Sequence, residues 1–209
     1  KRSKSPLPPF MTSTLQQAAV NQLGFSVKKT MTVAQQLYEG VSLQDPTNPV
    51  ALITYMRTDS LRISDTAIKQ ARSVIPKQYG NEYLPARANT YERGKKSKAK
   101  TQDAHEAIRP INISISPAQI RPFVSDDILK LYDIIWRRFV SCQMTPALYA
   151  QRVVTIKGGK YTFGVTGSTL LFDGFLKVYK PEETEKDQKV IIPDGIRANE
   201  PVSLKKVDP

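Results

Sequence analysis

The chain has 209 residues, with 31 Lys and Arg against 19 Asp and Glu, giving a formal charge of +12 and a pI near 9.8. One cysteine, Cys142, and one histidine, His105, exclude an internal disulfide and a zinc centre built from Cys and His, so a cofactor-free interior and a reducing compartment are expected. The basic excess suits a polyanion, nucleic acid first, although ribosomal and membrane-surface proteins share it; no apolar run is long enough to span a membrane and no signal-peptide pattern appears.

Lys1 to Pro9 is basic and proline-rich and reads as an extended lead-in. Ser13-Thr14-Leu15-Gln16 forms a capping-box pattern, followed by Leu15, Ala18, Ala19 and Leu23 at helical spacing and closed by Gly24. Thr32-x-x-Gln35 repeats the pattern for a second helix, with Val33 and Leu37 inward and Gly40 at its end. Lys28 and Lys29 then fall between the two helices in a helix-turn-helix-like layout, which alone says little, since most helical hairpins bind nothing. Val41 to Pro49 holds the turn pairs Asp45-Pro46 and Asn48-Pro49, and Val50 to Thr54 reads as a short buried strand. It leads into Tyr55-Met56-Arg57-Thr58-Asp59-Ser60, ahead of a helix over about Asp65 to Gln78 with Ile68, Ala71 and Ile75 as its core face. A rigid element that ends in a phenol, a guanidinium, two hydroxyls and a carboxylate displays functional groups. On chemistry alone Tyr55 is either a nucleophile with Arg57 placed to pair a phosphate, or an interfacial aromatic before a solvated turn.

From Pro85 to Gln102 apolar residues are sparse, and Glu92 to Lys100 carries five cations, among them Lys95, Lys96 and Lys98, against one carboxylate. This reads as a mobile loop that follows a phosphate backbone, or as a loop whose charge only keeps it solvated. His105 stands between Asp103 and Glu106 with Arg109 on the next turn. Carboxylates there favour imidazolium, a donor to phosphate oxygens, whereas a lone histidine is otherwise a structural donor. Ser116-Pro117 opens a short helix, and Ser125-Asp126-Asp127 a longer one to Gln143 with Ile128, Leu131, Ile135, Trp136, Phe139 and Cys142 packing. After Pro146 the apolar period becomes two. Tyr149–Lys157, Tyr161–Thr166 and Leu170–Val178 read as strands, separated by turns at Gly158-Gly159 and Gly167-Ser168. A charged tip follows at 182–189, with further strands at Val190–Ile192 and Pro201–Val207. The switch at Pro146 is the domain boundary, and the fold class is α+β.

Three longer stretches carry a resemblance. Pro9-Phe10-x-Thr12-Ser13-Thr14-Leu15-Gln16-Gln17-Ala18-Ala19, Ile53-Thr54-Tyr55-Met56-Arg57-Thr58-Asp59-Ser60 and Ala104-His105-Glu106-Ala107-Ile108-Arg109-Pro110 stand in this order. Together they resemble the signatures of bacterial type IA DNA topoisomerases, and the similarity runs over nearly the whole chain. The resemblance implies a helical, tyrosine-bearing domain over residues 12–146, similar to a winged-helix (CAP-like) fold. That domain would be inserted in an antiparallel β arch formed by residues 1–11 and 147–209. It implies that Tyr55 attacks one DNA strand, that Arg57 and His105 hold the scissile phosphate, and that resealing needs no ATP. Contacts to DNA would come from Arg57, Thr58, Asp59, Ser60, His105 and Arg109, with Lys95, Lys96 and Lys98 of the basic loop alongside. Thr58, Asp59 and Ser60 are expected to orient Arg57 and the backbone more than to do chemistry.

The family also needs magnesium, held by an Asp-x-Asp-x-Glu cluster on a Toprim domain, and these 209 residues contain no such sequence. No metal site is therefore expected here, and the chain is expected to be the tyrosine-bearing part of a longer enzyme, unable to relax DNA alone. The implied partners are single-stranded and negatively supercoiled DNA and the other domains of its parent chain, in a bacterial cytoplasm near the nucleoid, without a membrane. Two rivals stay open: a non-catalytic DNA-binding module with Tyr55 stacked on a base, and a purely structural hinge and clamp. One departure from the family pattern is the stretch between Glu39 and Leu52, which is longer here and reads as a surface insertion.

Overall fold

The computed structural model describes residues 1–43, 45, 47–91, 105–181, 192 and 195–203. A short strand β1 (Arg2–Lys4) precedes helices α1 (Thr12–Leu23), α2 (Val27–Glu39), α3 (Asp65–Tyr79), α4 (Pro117–Ile120) and α5 (Asp126–Cys142). A long hairpin follows, β2 (Ala147–Gly158) and β3 (Tyr161–Phe172). The sheet order is β1-β2-β3 with both pairings antiparallel, and Arg2 lies opposite Tyr149. All five helices thus lie, in chain order, between two strands that are neighbours in the sheet. The protein is a mixed structure of helices and antiparallel sheet.

α5 is the centre of the helical part. Leu131, Tyr132, Ile135, Phe139, Val140 and Cys142 are fully buried, because α1, α2, α3 and α4 all pack against this helix. Burial spreads wider than the face read from the sequence: Leu129 and Ile134 are buried and Ile128 only half-buried. The polar tips of its two large aromatics are satisfied on the same loop. Tyr132 donates to the Ile115 carbonyl at 2.7 Å and Trp136 Nε1 to that of Ile113 at 2.9 Å. Burial pushes the Cys142 thiol up to about 12, which leaves it protonated and unreactive.

The helix starts differ from those read in the sequence. α1 begins at Thr12, and the Met11 amide donates to Thr14 Oγ1 at 3.0 Å, so Thr14 takes the role assigned to Gln16. α2 begins well before Thr32: Ser26 Oγ accepts from the Lys29 amide at 3.1 Å, and Thr32 donates to the Lys28 carbonyl inside the helix. Lys28 and Lys29 are therefore in its first turn, not between helices. A serine two residues past the Gly24 C-cap starts the next helix at once, and the later pattern has no free amides left to cap.

The hairpin is longer and simpler than the alternation implies. Gly167 and Ser168 pair with Arg152 and Gln151, so β3 runs straight through the expected turn, and the reversal is Gly159-Lys160. An available partner strand overrides a weak turn signal. Residues Gly174–Lys177 form a 3₁₀ turn where a strand was expected. Gly174 has φ +50°, and a Cβ there would stand 2.4 Å from the Pro146 carbonyl oxygen, so only glycine lets the chain dock beside Thr145-Pro146. The Phe175 amide donates to the Thr145 carbonyl at 2.9 Å, and Tyr83 donates to Asp173 at 2.8 Å, which pushes the Tyr83 phenol up to about 12. Ile192 and residues 201–203 are in no strand; 190–191 and 204–207 lie outside the described residues.

Arg138 ties the segments at Pro8–Phe10 and at Tyr179 to α5. It is 7% exposed, sits over the rings of Phe10 at 4.8 Å and Tyr179 at 5.0 Å, and its Nε donates to the Pro8 carbonyl at 2.6 Å. Arg138→Ala removes two cation–π contacts and a charged hydrogen bond and opens a void. The expected cost is about 3 kcal/mol, a fall in Tm of roughly 6–12 °C for a chain of this size, read by thermal unfolding. A fall under about 2 °C would show that the clamp is ornamental.

Candidate active site

The three stretches that stand far apart in the sequence meet in space. Residues 107–111 run between Phe10 on one side and Leu52 to Thr54 on the other, with antiparallel bridges Phe10–Ile108 and Ile53–Pro110. The Ile108 amide donates to Phe10, the Thr54 amide to Arg109 and the Ile111 amide to Leu52, at 2.8 to 3.0 Å. Thr54 Oγ1 adds a clasp, donating to the Ala107 carbonyl at 2.7 Å and accepting from the Arg109 amide at 3.0 Å. Ile53 and Ile108 are fully buried beneath this small ladder, which is a set of bridges instead of the full strand read over Val50–Thr54.

Beyond Thr54 the chain alternates. Tyr55, Arg57 and Asp59 are exposed, while Met56, Thr58 and Ser60 are buried at 1, 8 and 4% exposure. The cause lies in α1. Its first residue, Thr12, donates through its amide to the Thr58 carbonyl at 2.9 Å. Thr12 Oγ1 donates to the carbonyls of Met56, at 2.7 Å, and Thr58, at 3.0 Å, and accepts from the Thr58 amide at 2.8 Å. Backbone groups on both sides of Arg57 are thus held by one threonine, and the Arg57 side chain is directed outward. Thr58 Oγ1 in turn accepts from the Ser60 amide and Ser60 Oγ from the Arg62 amide, two turns that shape the backbone.

The Tyr55 ring has two aromatic neighbours. His105, also exposed, lies with its ring centroid 5.8 Å away and tilted by 32°, and Tyr38 of α2 meets it edge-on at 5.4 Å and 65°. Among the described residues no ion pair or hydrogen bond engages the Arg57 guanidinium. Burial raises the phenols of Tyr79, Tyr91 and Tyr132 above the ordinary tyrosine range, and the bond to Asp173 raises that of Tyr83, which keeps these four protonated. The exposed group that combines a phenol, a guanidinium and an imidazole is Tyr55, Arg57 and His105.

A family model described as DNA topoisomerase matches residues 1–209. The chain belongs to the bacterial type IA DNA topoisomerase family. DNA topoisomerase 1 of Campylobacter jejuni is 46% identical over 186 residues, which are 89% of this chain and 26% of that protein. That of Thermotoga maritima is 49% identical over 180 residues, 85% of this chain and 28% of that protein. The solved structure of full-length topoisomerase I from Thermotoga maritima matches with a TM-score of 0.72 at 43% identity, covering 87% of this chain and 28% of that one. The chain therefore spans about a quarter of the length of the topoisomerases it matches.

Within this topoisomerase chain the residues singled out in the sequence fall into three groups. Tyr55, Arg57, Asp59 and His105 share the exposed side of the ladder. Thr58, Ser60 and Arg109 are turned inward. Arg109 is 11% exposed in its side chain, and its guanidinium donates to Glu106, to the Pro110 carbonyl at 2.9 Å and to Ser64 Oγ at 3.3 Å, so it braces the loop that carries His105. Glu106 is engaged by Arg109 and stands 3.9 Å from Arg62, so its charge is answered inside the chain and not by His105. Lys95, Lys96, Lys98 and Asp103 lie outside the described residues.

No three His, Cys, Asp or Glu side chains among the described residues converge to hold a metal ion. No helix among them is long and apolar enough to cross a membrane. Tyr38 and Thr12 escaped the sequence reading as site residues, since neither carries a local signal for the contacts it makes with the tyrosine segment.

The longer segment between α2 and Leu52 leaves this site intact. Val41 and Val50 exchange both backbone hydrogen bonds at 3.0 and 2.9 Å, pinching the loop off at its base. Inside that pinch the Leu52 amide donates to the Leu37 carbonyl at 2.8 Å.

Thr12→Val keeps the shape but removes the hydroxyl that serves Met56 and Thr58. We expect a loss of about 1–3 kcal/mol in stability and, in the full-length enzyme, about a tenfold slower single-turnover DNA cleavage as Arg57 loses its anchor. Unchanged cleavage would show that Arg57 is placed by something else.

Proposed function

We propose that this chain is the tyrosine-bearing part of an enzyme that breaks and reseals one DNA strand through a covalent phosphotyrosine. The observation that carries it is the placement of Tyr55, Arg57 and His105 together, exposed, on a braced ladder. Tyr55 Oη attacks the scissile phosphorus as its phenolic proton leaves. The phosphorus–O3′ bond breaks, and the 3′ oxygen takes a proton, so one strand ends as a 5′-phosphotyrosyl ester and a free 3′-hydroxyl. One phosphodiester has replaced another, so the reverse attack by the 3′-hydroxyl reseals the strand without ATP. Arg57 holds two phosphate oxygens with its planar fork and answers the charge that builds on them. His105, whose ring lies beside that of Tyr55, adds a second hydrogen-bond donor to the same phosphate.

The rest of the reading follows from the same placement. Relaxation of negatively supercoiled DNA needs a passage for the second strand and the acidic, magnesium-binding Toprim part, which the parent chain supplies, so the 209 residues alone are inactive. The α1–α2 hairpin with α3 after it supports a winged-helix-like helical part, carried on the β1-β2-β3 sheet as an arch. Single-stranded DNA is the substrate, and the bacterial cytoplasm, at the nucleoid, is the place of action. A DNA-binding module without chemistry would stack Tyr55 on a base and leave no covalent trace.

An oligonucleotide labelled on the 3′ side of the cut, mixed with the full-length enzyme and magnesium, then denatured and digested, separates these readings. Label on the peptide holding Tyr55 is expected. Label on any other side chain overturns the assignment, and a strong adduct formed by the 209-residue chain alone overturns the split-site reading.

A further inference from the structure

We propose that Tyr38 is a positioning residue for the nucleophile: its ring edge holds the Tyr55 ring against His105, so that the phenolic oxygen points to the phosphate instead of sampling solvent. This rests on Tyr55 being the nucleophile.

Tyr55 is 38% exposed and sits just past the last backbone clasp of its ladder, at Thr54. An exposed tyrosine ring there has its χ1 rotamers open to it unless neighbours close them. One neighbour is His105, its tilted ring centroid 5.8 Å away, on the loop braced by Arg109. The other is Tyr38, edge-on at 5.4 Å and 65°, a favoured arrangement of two aromatic rings.

Tyr38 is anchored through its helix. α2 is held by buried Thr30, Val33, Ala34 and Leu37, and the residue before Tyr38 accepts a hydrogen bond from Leu52, three residues ahead of Tyr55. The helix end and the tyrosine segment are thus one unit, with the Val41–Val50 pinch keeping the intervening loop out of the way. Tyr38 is itself 38% exposed and makes no hydrogen bond among the described residues, so its ring, not its hydroxyl, makes the contact.

The test uses the full-length enzyme and follows single-turnover cleavage of a single-stranded oligonucleotide beside its equilibrium binding. Tyr38→Ala and Tyr38→Leu are each expected to cleave about fivefold to tenfold more slowly with affinity unchanged within about twofold, and Tyr38→Phe to restore the wild-type rate. Tyr38→Leu fills the volume, so it answers for any loss of folding in the alanine variant. Wild-type rates in both Ala and Leu variants overturn the proposal. So does a Phe variant as slow as Ala, which assigns the effect to the hydroxyl, and so does a loss of affinity with the cleavage rate kept, which makes Tyr38 a base-stacking platform. Tyr55→Phe run in parallel keeps the two claims apart: an adduct that survives it sinks the nucleophile assignment, whereas its disappearance beside an unaffected Tyr38 series sinks only this inference.

Discussion

Full-length enzyme carrying Tyr55→Phe is expected to form no denaturant-resistant adduct, a fall of at least about 10⁴-fold, while binding single-stranded oligonucleotide within about threefold of wild type. The substitution removes one oxygen and leaves the ring where it is, against Tyr38 and His105. The oxygen is half of the bond that forms, so no weaker contact replaces it. Stability should be unchanged within about 0.5 kcal/mol, because the residue is exposed and among the described residues its hydroxyl has no hydrogen-bond partner to lose. Gel separation of labelled protein after denaturation reads the adduct, and anisotropy reads the binding. An adduct that persists would place the nucleophile elsewhere, and four other phenols, those of Tyr79, Tyr83, Tyr91 and Tyr132, are already disfavoured by burial or by a carboxylate.

Arg57→Ala should slow cleavage and resealing about 10²- to 10³-fold, the usual consequence of deleting a charged donor aimed at transition-state charge. Arg57→Lys should recover only part of this, since an ammonium is a point charge and cannot bridge two phosphate oxygens. The guanidinium is exposed, so neither variant should lower Tm by more than a degree or two. Binding to single strands should weaken modestly, with the slope of log K against log salt reduced by about 0.7, one phosphate contact. Single-turnover cleavage and resealing give the rates, thermal unfolding gives Tm, and equilibrium binding across salt concentrations gives the slope. Wild-type rates for Arg57→Ala would remove Arg57 from the chemistry and return it to a solvated turn.

Helices with strong local signals were legible almost to the residue. Ser64 and Ser125 head α3 and α5, apolar positions recur at 3.6, and Gly80 follows α3, so the bounds read from the sequence, Asp65–Gln78 and Asp126–Gln143, differ by one residue from those observed. The caps of α1 and α2 were misplaced because Ser/Thr-x-x-Gln is a short, degenerate pattern, and which serine or threonine is used depends on what else the hydroxyl can reach. Thr12 is the clear case: its hydroxyl is taken by Met56 and Thr58, forty-odd positions away. The turn expected at Gly167-Ser168 failed for a similar reason, since β2 stood opposite and completed the ladder.

For the site, the amino-acid sequence alone determined the chemistry on offer. It named one phenol followed by a guanidinium, one imidazole, a basic balance and a wording shared with DNA topoisomerases, all of which are local properties of side chains or of motifs read in order. Only the tertiary structure decided which of these groups act together. It joined the three motifs in one ladder, turned Thr58 and Ser60 inward and Arg57 outward, enclosed Arg109 with Glu106 and brought Tyr38 to the edge of Tyr55. These outcomes depend on hydrogen bonds and packing between segments tens of residues apart, such as Phe10 with Ile108, Leu37 with Leu52 and Thr12 with Thr58. Periodicity and propensity describe a residue and its near neighbours; the closure of distant segments over a shared core is what chooses the face each side chain shows.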